Sequence, residues 1–299
     1  MRRPVSLIGA PTSAGAFAPG QEDAPAALRA AGLQDALRAG GRDVRDRGDT
    51  PRFRWRVDHD EPRAMNADAV VSGVRAVATR VEAALRAGEL ALVLGGDCTV
   101  GVGTVAGAVA AGAEPRLVYL DLHADLNTPS SVPDGALDWT GLAHLLAVAG
   151  ADPRLAGAGP RRPLLRDDDV VLLGHGAAQS TSAERELVAA RSLVTIDDAA
   201  LAADPRGAAR RAREHAEAGG RAFLVHFDVD VIDFSDVPLS ENTGRGIGVP
   251  FEAALAALEV LAGADAPLAI TVTELNPHHG AADGSDVARL AHALAGAVG

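Results

Sequence analysis

The feature that most constrains the fold of this 299-residue chain is a repeated pairing of a short apolar run with a longer amphipathic stretch. Strand-like runs lie at 5–8, 42–44, 90–94, 116–120, 170–173, 192–196, 222–227 and 267–273, and most are continuously apolar. A strand without polar alternation is covered on both faces, as in a parallel sheet held between two helix layers. The segment 67–87 shows the helical partner, with Val70, Val74, Val77, Val81 and Leu85 at helical spacing. Regular alternation of this kind predicts an α/β fold with helices on both faces of the sheet. A closed barrel of eight strands is the rival architecture. No linker interrupts the pattern, so residues 1–299 are expected to form a single domain.

Hydrophobic residues make up 47% of the chain, enough for a large core, but aromatics only 3%. The core must therefore be built from Ala, Val and Leu. The net charge of −12 argues against nucleic acid as a partner and suits a cationic ligand. A single cysteine excludes an internal disulfide framework. The first apolar run is too short for a signal-peptide core, and none is long enough to span a bilayer. A cytoplasmic protein is expected.

Three of the runs end in clusters of metal-binding residue types: Gly95-Gly96-Asp97-Cys98, Asp121-Leu122-His123-Ala124-Asp125, and Asp228-Val229-Asp230. Each cluster falls at the carboxyl end of a strand, where open α/β sheets bind ligands. Alternate residues of an extended segment share a side, so Asp121, His123 and Asp125 face together, as do Asp228 and Asp230. Asp233 has the opposite parity and reads as a loop carboxylate. Converging carboxylates repel unless a cation lies among them. Carboxylate with imidazole suits Mn, Zn, Fe or Co. A polar loop with helix caps is the plainer reading of any one cluster, and a buried apolar thiol the plainer reading of Cys98. Taken together, the clusters predict a pair of divalent ions that acidify water for hydrolysis. Segments 127–139 and 234–249 follow two of the clusters and read as long functional loops.

In this order the motifs resemble those of the arginase superfamily of ureohydrolases. The resemblance runs nearly end to end. It includes Ile8-Gly9-Ala10-Pro11, Ala24 to Arg29, Gly95-Gly96-Asp97, Asp121 to Asp125 with Asn127-Thr128-Pro129, Phe227 to Asp230, and Thr273-Glu274-Leu275-Asn276-Pro277. It implies a three-layer α/β/α sandwich around an eight-stranded, mostly parallel sheet. It also implies two Mn ions. Asp121 and Asp228 would bridge both, Cys98 and Asp125 would complete one shell, and His123 and Asp230 the other. Asp125 would also orient the attacking hydroxide, and Glu274 would grip a guanidinium or amidinium substrate. Homo-oligomers, trimers or hexamers, are the implied assembly.

The chain departs from the family pattern in places. Cys98 stands where a histidine ligand is usual, and Asp138 where arginases carry a proton-shuttling histidine. An aspartate of raised pKa could still protonate a leaving amine. His144, on the helix that follows, reads as a packed or solvent-facing side chain. Val132, Asp134 and Ala136 alter the loop that binds the amino-acid end of arginine, while Asn127 remains. Gly174 to Gln179 replaces an acidic loop, with Glu184 as a partial substitute. Asn127, Asp134 and Glu184 are thus the expected substrate contacts. Relatives that hydrolyse N-hydroxyarginine resemble this chain in having Cys at the ligand position, so an N-hydroxyguanidine substrate is implied. The alternative is a family member that has lost hydrolysis and serves as a binding or regulatory protein.

Overall fold

A computed structural model describes residues 2–132, 134–263 and 266–299. Among these, eight strands form one open sheet in the order β2-β1-β3-β8-β7-β4-β5-β6. They span Val5–Gly9 (β1), Val44–Asp49 (β2), Leu90–Leu94 (β3), Arg116–Leu120 (β4), Val170–His175 (β5), Val194–Asp197 (β6), Phe223–Asp228 (β7) and Ala269–Thr273 (β8). Every pairing is parallel. The sheet is open, with β2 and β6 at its edges, which rules out the barrel. It is also wholly parallel, where the expectation was mostly parallel.

The six inner strands are buried on both faces. Their side chains alternate between two cores. Leu7, Leu92, Val118, Val225 and Ile270 enter one, and Ile8, Val93, Tyr119, Leu224 and Ala269 the other. Helices Ala24–Ala30 (α1), Leu33–Ala39 (α2), Asp198–Ala203 (α3), Pro205–Glu217 (α4), Phe251–Ala262 (α5) and Ser285–Val298 (α6) supply the first core. Helices Ala67–Arg86 (α7) and Val100–Ala110 (α8) dominate the second.

Helix α7 buries Val70, Val74, Val77 and Val81, the stripe its spacing predicts. Against it lies α8, which is apolar all round and buried through Ala108. Their axes approach closely because Gly103 and Gly107 face α7. A Cβ on Gly103 would come within 2.7 Å of the Val74 carbonyl oxygen, and one on Gly107 within 2.5 Å of that of Ala78.

The sheet edge explains the least accurate strand boundary. Strand β2 lies at 44–49 rather than 42–44 and reads Val-Arg-Asp-Arg-Gly-Asp, exposed after its first residue. An edge strand half in water needs no apolar run, and charge there discourages pairing with another chain. Arg45 and Arg47 from this edge both reach the carboxylate of Glu89.

Strands β8 and β7 lie between β3 and β4 in the sheet, although they come last in the chain. The carboxyl ends of β3, β8, β7 and β4 therefore stand side by side, and all point the same way.

Candidate metal centre and cleft

Beyond β3 the chain folds back through Gly95-Gly96, where a Cβ on Gly96 would lie 1.5 Å from the Thr12 carbonyl oxygen. Asp97 then fastens this turn. Its carboxylate accepts the Gly15 amide at 3.0 Å and the Thr99 amide at 3.1 Å. The turn delivers Cys98 over the ends of β7 and β8. Its Sγ donates to Asp228 Oδ2 at 2.7 Å and lies 3.4 Å from both His226 Nε2 and Thr273 Oγ1.

After β4, Asp121 Oδ1 accepts the His123 amide at 2.6 Å, while Asp121 Oδ2 is buried without a partner. His123 Nδ1 lies 2.9 Å from Asp230 Oδ2 and 3.7 Å from Asp121 Oδ1. After β7, Asp228 Oδ1 accepts the Asp230 amide at 2.7 Å, and Asp230 Oδ1 is a second buried oxygen without a partner. Buried carboxylate oxygens are rarely left alone, so two in one cluster mark a place where a cation belongs. The donor atoms fall into two groups, each within 4.8 Å throughout. One is Cys98, Asp121, His226 and Asp228, and the other is Asp121, His123 and Asp230. Sulfur, imidazole and carboxylate together fit a transition-metal ion rather than calcium or magnesium.

Asp125 also enters the cleft, though it belongs to neither group. Its Oδ2 accepts the Tyr119 hydroxyl at 2.5 Å. Asp125 and Glu274 both have left-handed backbone, with φ of 49° and 61°. Such conformations strain a residue with a side chain and persist only where the surroundings hold them. Glu274 Oε1 accepts the Cys98 amide at 2.7 Å, and its Oε2 takes the Gln21 side-chain amide at 2.5 Å.

Electrostatics point the same way. Burial, followed by the charges of Asp228, Asp125 and Asp230, raises Asp121 well above the carboxylate range. Burial and Asp230 do the same to Asp228. Burial and Asp138 do so to Glu274, and burial with Asp228 pushes the Cys98 thiol up. Burial opposes charge on His123, yet Asp230 lifts it to about 10, and His123 in turn holds Asp230 low. The cleft has a volume of about 480 Å³. Seven carboxylates (Asp125, Asp134, Asp138, Asp228, Asp230, Glu241 and Glu274) line it, and among the described residues no Arg or Lys does. His123, paired with Asp230, is the one side chain among the described lining residues that can carry positive charge, against seven carboxylates.

The two long loops form the cleft walls. One supplies Asp134, Asp138 and Trp139, the other Glu241, Asn242 and Thr243. Asp138 is buried, its Oδ1 accepts the Trp139 amide at 3.0 Å, and burial with Asp97 and Asp125 raises its pKa well above the usual range. Two of the expected substrate contacts lie elsewhere. Asn127 is fully buried, and its Oδ1 accepts the hydroxyls of Ser131 and Thr181. Glu184 forms a capping box with Thr181 at the start of the helix Ser182–Ala190 and also accepts the Leu126 amide. Neither lines the cleft, whereas Asp134 does, and Gln179 contributes from the segment 174–179. His144 is packed away from the site, and Asp233 caps the loop it begins.

His226 and Tyr119 were missed by sequence reasoning. The signal for His226 was present: one imidazole in the run Phe223-Leu-Val-His-Phe227, two residues before Asp228 and so on its face. Tyr119 stands the same distance before Asp121.

The arginase family model matches residues 3–298. Arginase from Brevibacillus brevis is 29% identical over 283 residues, 93% of this chain and 92% of that one. Arginase-1 from Xenopus laevis is 38% identical over 176 residues, 58% of this chain but only 55% of that protein's length. The solved structure of arginase from Bacillus caldovelox superposes with a TM-score of 0.86 at 26% identity, covering 99% of this chain and 98% of that one.

Proposed function

The chain belongs to the arginase family, and from that premise we propose that it hydrolyses a linear C–N bond of a guanidino or amidino compound, using two divalent ions, most simply manganese. The observation that carries this reading is the meeting of Cys98, Asp121, His123, Asp228 and Asp230 from three distant strand ends, with two buried carboxylate oxygens unpartnered and, among the described residues, no Arg or Lys lining the cleft.

Cys98, Asp121 and Asp228 would hold one ion, and Asp121, His123 and Asp230 the other, with Asp125 beside them. Bound there, the ions would supply the positive charge that acidifies water near neutral pH. The protein's own residues do the rest. Glu274 is fixed by the Cys98 amide and by Gln21, so its carboxylate is already oriented to accept paired N–H bonds from a planar cation. Asp125, gripped by Tyr119, is placed to accept a hydrogen bond from the attacking oxygen. Burial beside Asp97 and Asp125 favours the protonated form of Asp138, which is placed to donate that proton to the departing nitrogen. A leaving nitrogen that carries a hydroxyl needs less acid assistance, which favours an N-hydroxyguanidine. Asp134, Gln179, Asn242 and Thr243 are the polar groups available to the remainder of the substrate. Assembly as a homo-oligomer, a trimer or hexamer, accompanies this reading and is measured by sedimentation. Among the described residues no helix is long and apolar enough to cross a membrane.

The test is metal analysis of manganese-loaded protein combined with a screen of guanidino and amidino compounds for release of urea, hydroxyurea, ammonia or formamide. Turnover of at least one is expected. Bound metal with no turnover of any compound refutes the hydrolase reading.

A further inference from the structure

His226 belongs to a strand that is otherwise apolar from Phe223 to Phe227, and it is almost fully buried there. Its ring stacks flat on Tyr119, with centroids 4.1 Å apart and planes 3° from parallel. That stack fixes the ring's orientation, and one edge faces the cluster of strand ends. Nε2 lies 3.4 Å from Cys98 Sγ, 3.2 Å from Thr273 Oγ1 and 3.9 Å from the unpartnered Asp121 Oδ2. The opposite nitrogen, Nδ1, faces Gly101, where a Cβ would approach it to 2.7 Å. The ring thus occupies space that only a glycine leaves open. Beneath it is a cavity of about 10 Å³, lined in part by Thr104 and Thr271, the size of one water molecule.

We propose that His226 is itself a metal ligand, completing with Cys98, Asp121 and Asp228 a mixed sulfur, nitrogen and oxygen pocket for one of the two ions. Donors that surround an ion tetrahedrally at 2.0–2.3 Å lie roughly 3.3–3.8 Å from one another. The 3.4 Å from Nε2 to Cys98 falls within that spacing, and the 3.9 Å to Asp121 lies just beyond it. The shorter Cys98–Asp228 separation is that of a thiol hydrogen bond, which opens once the thiol proton is displaced. Ligation through Nε2 puts the ring proton on Nδ1, and a water in the small cavity would accept it, the outer support a metal-bound imidazole normally has. The imidazole thus comes from inside the sheet, from a rigid strand, while the other donors stand at strand ends and in turns.

This inference rests on the proposed metal reading, and one experiment separates the two. The full-length protein is loaded with cobalt(II), its metal content is measured, and X-ray absorption at the cobalt edge counts imidazoles and sulfurs. Two imidazoles and one sulfur per two ions are expected, because His123 alone would give one imidazole. His226→Ala and His226→Asn should each weaken one ion by more than about 100-fold, beyond the roughly 10–100-fold loss typical of a residue that only orients a ligand. The sulfur-to-cobalt absorption band should change as well, and the His123 ion should remain. One imidazole per two ions in the unaltered protein overturns the proposal without any variant. Loss of 100-fold or less with an unchanged cobalt spectrum overturns it too, and leaves the hydrolase reading standing. Two imidazoles in a protein that hydrolyses no guanidino compound would support the ligand and remove the hydrolase. An unaltered protein that takes up no metal would overturn both.

Discussion

His144 should make the protein acid-labile by a predictable amount. It is completely buried, its Nδ1 donates to the Thr140 carbonyl at 2.6 Å, and its Nε2 accepts the Asp152 amide at 3.0 Å. A second ring proton would point at an amide proton, and the imidazolium would also lose its hydration. Burial therefore depresses the pKa from 6.5 to about 4, with a further push from Arg162 that Asp152 and the Thr140 carbonyl only partly offset. The unfolded chain takes up this proton as pH falls below 6.5, whereas the folded chain does not until about 4. Stability from this residue is hence intact above 6.5, declines through the window, and is fully lost below 4. The shift of 2.5 units between those values corresponds to about 3 kcal/mol in full, of which about 2 kcal/mol is lost between pH 7 and pH 5. The assay is urea unfolding at pH 7, 6 and 5 for the protein and for His144→Gln, which keeps a donor and an acceptor but cannot titrate there. Other titrating groups contribute equally to both proteins. The gap between the two stabilities should therefore narrow by about 2 kcal/mol on acidification. Parallel curves would show that His144 takes a proton in the native state without penalty, and the geometric argument would fail.

Three further outcomes follow from the site and its supports. Asp228→Ala removes an oxygen from the metal pocket and the acceptor for the Asp230 amide; metal analysis after dialysis should find the ion shared with Cys98 and Asp121 lost, and full retention of both ions with full turnover would disprove that role. Adding manganese to metal-stripped protein should raise the melting temperature, because ions bind only the folded cluster; at 100 times the dissociation constant the gain is about 2.7 kcal/mol, and an unchanged melting curve would count against the site. Gly96→Ala places a Cβ against the Thr12 carbonyl and should destabilise by about 3 kcal/mol or more through backbone displacement, seen as a fall in melting temperature.

Much of this architecture could be read before any coordinates. The six inner strands all have counterparts among the short runs, because a strand covered on both faces must be apolar throughout. The same argument fails at the edge, where β2 runs through Arg45, Asp46 and Arg47 and carries no apolar signal. The valine stripe of α7 was legible for a similar reason: its period is the period of the helix. Asp121, His123, Cys98, Asp228 and Asp230 could be named because ligand chemistry leaves a pattern of residue types at strand ends. Asn127 and Glu184 could not be sorted in this way, since the same polar residue serves equally well as a hydrogen-bonding tie or a cap within a loop.

What the amino-acid order determined by itself is local: which segments are strands, which face of a helix is buried, and which strand ends carry ligand atoms. Only the tertiary structure decided which ends become neighbours, because β7 and β8 enter the sheet between strands that precede them by more than 100 residues. That insertion sets Cys98 against Asp228, leaves two carboxylate oxygens without partners, and brings His226 beneath the cluster. Spatial proximity of this kind arises from packing across the chain, and no periodicity along it encodes the result.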